Sequence, residues 1–281
     1  MSQPTFKLLF IFTLLVILPS LSTAAENNFR LRAHQLDITN DTEEDVEAEI
    51  RFGKSISARI LGQFPTDDNP LLNKYVNLVG KAVAMNSSRD DIEFHFSVLA
   101  VDFINAYSAP GGYIFITKGA LRAMDDEAEL AAVLAHEIAH ITEKHIVKEF
   151  KIKGQEKSAA AGISRLIGSS KSSAQALFSK AVDNAVSKLL NKGFKQKDEL
   201  GADKVALLLL ANTGYDPMAL ARYLIRIKDL TAKLTKNTQY KPTHPPTSTR
   251  IHALQQLAVE EHLQQLKFPR AKTRFDKYVE K

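Results

Sequence analysis

Along most of the chain apolar residues return at helical spacing, and polar stretches with turn chemistry separate one run from the next. EEDVEAEIRFGKSISARIL puts Val46, Ile50, Ile56 and Ile60 on an amphipathic helix. After the turn signal PTDDNP, the run Pro70–Met85 restarts the period with Leu71, Tyr75, Val76, Val79 and Val83. From Ile92 to Val101 the pattern changes: IEFHFSVLAV is rich in β-branched and aromatic residues and predicts a strand. A loop closed by Pro110, Gly111 and Gly112 leads into a second short strand, YIFIT. The two strands are expected to pair antiparallel as a small sheet beside the helices.

Asp126 followed by Glu129 resembles a capping box and opens the run AELAAVLAHEIAHI, a helix expected to reach about Lys144. The stretch that follows, GQEKSAAAGISRLIGSSKSSAQ, is poor in bulky residues and reads as mobile or lid-like. ALFSKAVDNAVSKLL then sets Phe178, Val182, Val186 and Leu189 on one helical face. FKQKDELGADKVALLLLANTG predicts an apolar helix stopped by Asn212–Gly214, and YDPMALARYLIRIKDL another with Pro217 near its start. THPPTSTR is extended and polar, and RIHALQQLAVEEHLQQL is the last amphipathic helix. These elements predict an α+β fold, mostly helical, in one domain over residues 44–268. Residues 25–43 are expected to be a flexible lead-in, 146–195 a mobile basic helical segment, and 269–281 a C-terminal tail. No repeat of 30 to 45 residues is visible, so no helical-repeat extension is expected.

The first 24 residues stand apart. Lys7 precedes the apolar run LLFIFTLLVIL, Pro19 ends it, and Ser22, Thr23 and Ala24 supply small residues for signal-peptidase cleavage. About a dozen apolar residues are short for a spanning helix, which needs ~20. A cleavable signal peptide is expected, with an uncleaved anchor as the alternative, and either one sends the body of the protein out of the cytoplasm, to the periplasm. The 281 residues hold no cysteine, so any metal must be held by His, Asp and Glu. The net charge of +5 is unevenly spread: Thr142–Asp198 carries 12 Lys+Arg against 5 Asp+Glu. That segment suits association with an anionic membrane surface, which would weaken with salt. No nucleic-acid partner is expected, because the basic residues are not interleaved with aromatics.

The chemistry concentrates in LAHEIAH, residues 134–140. On a helix, residues i and i+4 share a face, so His136 and His140 can aim ring nitrogens at one ion while Glu137 projects beside it as a general base. Two buried histidines and a glutamate are costly in an apolar helix without a metal. A catalytic zinc needs a third protein ligand and an open position. His145, five residues beyond His140, is rotated off the shared face and is expected to be a solvated or capping residue. Glu199 in DELGAD is the better candidate, and Asp203, one turn later, can hold a histidine Nδ1–H. His34, His95, His252 and His262 have no partner spacing.

NAYSAPGGYIFITKGAL, HEIAH, ELGAD and HPPTSTRI, in that order, resemble the zinc metallopeptidases of the HtpX and CAAX prenyl endopeptidase family, nearest to their soluble periplasmic members. The resemblance covers about Glu47 to His262. It implies a zincin-like metalloprotease domain with the small antiparallel sheet beside the active-site helix, and one Zn2+ per chain. His136, His140 and Glu199 match the family's zinc ligands, Glu137 its base and Asp203 its outer carboxylate. Asn105 to Tyr113 matches a strand edge offered to extended substrate, so Asn105, Gly111, Gly112, Tyr113 and also Arg250 are candidate substrate contacts. Glycines without side chains would let another backbone approach. His244, held extended before Pro-Pro, has three open roles: oxyanion donor, reversible fourth zinc ligand, or structural residue. The implied activity is hydrolysis of peptide bonds in unfolded or misassembled envelope proteins. A chaperone-like binder of such proteins and a zinc hydrolase of non-protein envelope material are the alternatives.

Overall fold

The computed structural model describes residues 41–154, 172–233, 243–245 and 247–280. The signal segment, the flexible lead-in up to residue 40 and most of the Gly/Ser/Ala-rich stretch lie outside them. Among the described residues, no helix is long and apolar enough to cross a membrane.

Helix α1 (Glu43–Gln63) starts at a reciprocal cap: Thr42 accepts from the Asp45 backbone N–H, and the Asp45 carboxylate accepts from the Thr42 N–H. Asn69 caps α2 (Pro70–Ala84), with proline in the first turn, where its missing N–H costs nothing. Three strands follow, β1 (His95–Leu99), β2 (Ala106–Ala109) and β3 (Tyr113–Thr117), in the order β1-β3-β2. The predicted antiparallel pairing of the two long apolar runs does not hold. β1 and β3 are parallel, in the register His95 with Tyr113 and Leu99 with Thr117. It is β2, hidden in the stretch read as a loop, that pairs antiparallel with β3. AYSA has four residues and no β-branched one, so propensity gives it no signal. A tight turn at Pro110–Gly112 joins it to β3, and the chain from β1 must then cross the end of β3, which makes β1 and β3 parallel.

Short α3 (Lys118–Arg122) leads to α4 (Glu127–Thr142), capped by Asp126, whose side chain accepts from the Glu129 N–H. All sixteen residues of α4 are buried. Its alanines let α7 (Gln196–Thr213), α2 and α8 (Ala219–Lys233) close around it, while β2 covers the remaining side. α7 is apolar all round from Val205 to Ala211, as expected of a core helix, and ends at Gly214 in the left-handed region. Lys144 is also left-handed, with φ 54°, so the helix predicted to run to Lys144 turns there into a separate α5 (His145–Phe150).

A second, smaller core lies on the other face of the sheet. Phe52, Ile56 and Ile60 of α1 meet Val182, Ala185 and Val186 of α6 (Ser172–Ser187) there, and Leu189 follows in a π-helical turn, Lys188–Lys192. The predicted apolar face of that segment is therefore packed. The chain closes with α9 (Ser248–Glu260), capped by Thr247, and α10 (Lys272–Tyr278). α10 corrects the reading of residues 269–281 as a tail. Phe275 is fully buried, and Arg274 reaches Glu127 at the start of α4.

Candidate metal centre

The middle of α4 and the start of α7 bring three sequence-predicted residues together, and the segment before α9 adds a fourth. One ligand atom from each of His136, His140, Glu199 and His244 falls within a group whose members all lie within 4.8 Å of one another. His136 Nε2 stands 3.1 Å from His140 Nε2 and 3.3 Å from His244 Nδ1. Glu199 Oε1 is 2.9 Å from His244 Nδ1 and 3.5 Å from His140 Nε2, and Oε2 is 3.5 Å from His136 Nε2. His136, His140 and Glu199 are buried, and His244 is nearly so.

The outer atoms of the two helical histidines are engaged elsewhere. His136 Nδ1 lies 3.0 Å from Asp203 Oδ1, so the carboxylate favours a proton on Nδ1 and leaves Nε2 as a lone pair facing inward. His140 Nδ1 is 2.8 Å from His145 Nδ1. With both outer nitrogens protonated, two Nε2 lone pairs face each other at 3.1 Å, close to a carboxylate and a third imidazole. A cation at their centre satisfies all of them at once, whereas without one the cluster must bury an extra proton on an imidazole. The donor set therefore fits a metal ion.

Charge reinforces this arrangement. Burial pushes the Glu199 carboxyl up, but His244, His136 and His140 outweigh it and hold the group ionised, far below the usual carboxylate range. Asp203 is likewise held below its usual value, since the adjacent Arg250 guanidinium and His136 overcome its burial. Burial and Arg250 both disfavour a charged His136, yet the Asp203 and Glu199 carboxylates carry its pKa up to about 9 without a cation. His140, dominated by burial, is pushed well down and stays neutral.

Glu137 sits beside the group, as the offset of one residue requires. Its Oε2 accepts a hydrogen bond of 2.7 Å from Ser108 Oγ on β2, and its Oε1 lies 3.6 Å from His244 Nε2. The two His244 nitrogens thus face different partners, one the cluster at Glu199 and the other Glu137. His244 is located by Thr243, whose hydroxyl donates to Asn105 Oδ1 and whose carbonyl presses on Gly193. Gly193 has φ +67°, and a Cβ there would come within 2.0 Å of Thr243 O, so this approach requires glycine.

The other predicted contacts fall differently. Asn105 borders a pocket walled by Val133, Leu220, Tyr223 and Leu224, with His136 and Glu137 in its lining. Arg250 also borders it, but its side chain is 2% exposed and committed: Nε and Nη2 donate to Asp203 at 2.8 and 2.6 Å, and Nη1 is 2.8 Å from Glu199. It locks two carboxylates rather than offering itself to substrate. Gly111 and Gly112 serve the fold. Both have positive φ, and a Cβ would meet Ile50 Cα at 2.7 Å and Glu93 O at 2.2 Å respectively. Tyr113 stacks on His95 at the opening of the strands, and these three are absent from the lining of the pocket beside Glu137.

Sequence reasoning passed over Ser108, Phe194 and His145. Phe194 stacks on His140 with centroids 4.2 Å apart and rings 18° from parallel. His145 is not the solvated residue expected. Its side chain is 11% exposed, and burial pushes its pKa down to about 4 against the opposing pull of Asp198. The spacing of five misled because α4 ends before it, and the left-handed Lys144 swings His145 back over the last turn.

A histidine pair on one helix, a carboxylate from a second and a base beside them define the class of metal-dependent hydrolases that carry HExxH. The chain belongs to Peptidase family M48, whose profile matches residues 70–258. It is 28% identical to the β-barrel assembly-enhancing protease of Yersinia pestis over 212 residues, 73% of this chain and 43% of that protein. It is 29% identical to the mitochondrial metalloendopeptidase OMA1 of Arabidopsis thaliana, over 69% of this chain and 38% of that one. The metalloprotease LoiP of Escherichia coli (strain K12) is 26% identical over 63% of this chain and 67% of its own. The chain thus spans less than half the length of the first two.

Proposed function

We propose that this chain is an extracytoplasmic zinc-dependent endopeptidase acting in quality control of envelope proteins, with His136, His140 and Glu199 holding the zinc. The observation that carries the reading is the convergence of these donors within 4.8 Å, with the Glu137 carboxylate beside them. Similarity to the β-barrel assembly-enhancing protease of Yersinia pestis supports an envelope role and favours hydrolysis over simple binding of unfolded protein.

Zinc bound there supplies a Lewis acid that polarises the scissile carbonyl and activates water. The rest is done by the chain. Ser108 pins one oxygen of Glu137, which aims the carboxylate to accept the water proton and pass it to the leaving amine. Asp203 fixes the His136 tautomer, and Arg250 holds Asp203 and Glu199 together so that neither carboxylate drifts. His244 would supply a fourth donor to a bound metal, and its withdrawal would free the open position that a catalytic centre needs. The Thr243 hydroxyl, donating to Asn105 Oδ1, holds the segment that carries His244 beside the cluster.

Glu137→Gln tests the reading. The variant is expected to bind zinc at full stoichiometry and to lose about 10²- to 10⁴-fold in casein cleavage, the range for losing a general base. Cleavage at the native rate would overturn it.

A further inference from the structure

Of the two α4 histidines, His136 faces a carboxylate with its outer nitrogen and His140 faces another imidazole. α4 stops at Thr142, and Lys144 takes φ 54°, a conformation that costs a non-glycine residue about 1–2 kcal/mol. The Lys144 ammonium is buried and paired with Asp41 and Glu49, which holds the turn in place. The result of the turn is that His145 Nδ1 lies 2.8 Å from His140 Nδ1, with the rings inclined at 63°. On its far side, His145 Nε2 faces Asp198 Oδ1 at 3.9 Å. Asp198 immediately precedes Glu199 in the first turn of α7. That single turn therefore sends one carboxylate to the ligand group and the next to the residue behind His140. Phe194 closes the array, stacked on His140 and 5.5 Å from the His145 ring centroid.

We propose that His145, anchored by Asp198, is the positioning residue of His140: it accepts the His140 Nδ1–H and so keeps Nε2 unprotonated and aimed at the metal. The inference rests on the zinc reading above. The two helical ligands are then backed unequally. His136 leans on an anionic carboxylate locked by Arg250, and His140 on an imidazole whose own anchor is a longer contact. Outer partners of this kind are typically worth about 10- to 100-fold in metal affinity.

The test measures zinc affinity of the full chain by chelator competition, together with the visible spectrum of the Co2+-substituted protein. His145→Phe keeps an aromatic ring beside Phe194 but accepts no hydrogen bond, and is expected to bind zinc about 10- to 100-fold more weakly. It should also shift the Co2+ bands, because His140 is free to rotate. His145→Gln, whose amide oxygen can accept the same proton, should recover most of the affinity. Asp198→Asn, farther out, should weaken binding in the same direction by less. A purely structural role would lower the melting temperature of the metal-free protein in both His145 variants and leave the Co2+ bands of the folded fraction unchanged. Native zinc affinity in His145→Phe, or equal loss in Phe and Gln, overturns the proposal while wild-type zinc binding stands. Failure of the wild type to bind zinc overturns the metal reading, and this inference with it.

Discussion

Buried carboxylates gather both at the ends of helix α4 and around its middle, and the two sets obey different rules. At its start, Glu127 is 1% exposed and accepts from the Tyr75 hydroxyl at 2.9 Å, the Tyr215 hydroxyl at 2.7 Å and the Arg274 guanidinium. Near its other end, Glu49 pairs with both terminal nitrogens of Arg89, accepts from the Gly111 N–H and faces Lys144, while Arg89 also donates to Ile141 O. Both networks balance internally, with each buried charge met by an opposite charge or a donor. The middle does not balance: it gathers three imidazoles whose inward atoms have only one carboxylate between them. Burial of polar groups therefore does not by itself mark function in this molecule. The cluster whose donors converge on one point marks it, and the satisfied ones hold its helix still.

Breaking an end should damage stability without touching chemistry. Arg89→Ala leaves the buried Glu49 carboxylate without its guanidinium partner, and is expected to destabilise the fold by about 3–5 kcal/mol in denaturant unfolding. A change near zero would show that the end is not scaffolding. The middle should behave in the opposite way. Zinc at a hundred-fold excess over Kd is expected to raise the stability of the wild type by about 2.7 kcal/mol. Glu199→Ala should gain nothing from the same zinc and should fail to retain it on metal analysis; full retention would remove Glu199 from the ligand set.

The smallest effect concerns pH and sharpens the contrast at the start of α4. Burial alone would push the Glu127 carboxyl up, but Arg274, Tyr215 and Tyr75 outweigh it and hold the pKa below the ordinary 4.5. A carboxyl depressed in the folded state contributes stability that is complete above 4.5 and lost as pH falls through the lower, folded value. Metal-free protein should therefore lose stability below about pH 4.5. Glu127→Gln should flatten that acid limb of the unfolding curve, whereas an unchanged limb would assign it to other carboxylates.

Much of the site is legible along the chain because helix geometry is local. His136, Glu137 and His140 are placed by a spacing of four, and Glu199 and Asp203 by the same spacing on another helix. Local rules fail at His145, where one left-handed residue redirects the chain, and at Ser108, where a four-residue strand has too little propensity to announce itself. They fail also for Gly111 and Gly112. A glycine pair before a strand reads equally as an opening for substrate or as a close approach of the chain to itself, and only the position of α1 and β1 decides for the latter.

The sequence by itself determined the helical periods, their caps and the residues that share a face, because these follow from contacts within a few positions. Only the tertiary structure decided that β1 and β3 run parallel, that α10 clasps Glu127, that Arg250 serves the carboxylates, and that His244 stands beside His136, His140 and Glu199. These join residues tens of positions apart, and the close packing of α4 against its neighbours selects which of them meet.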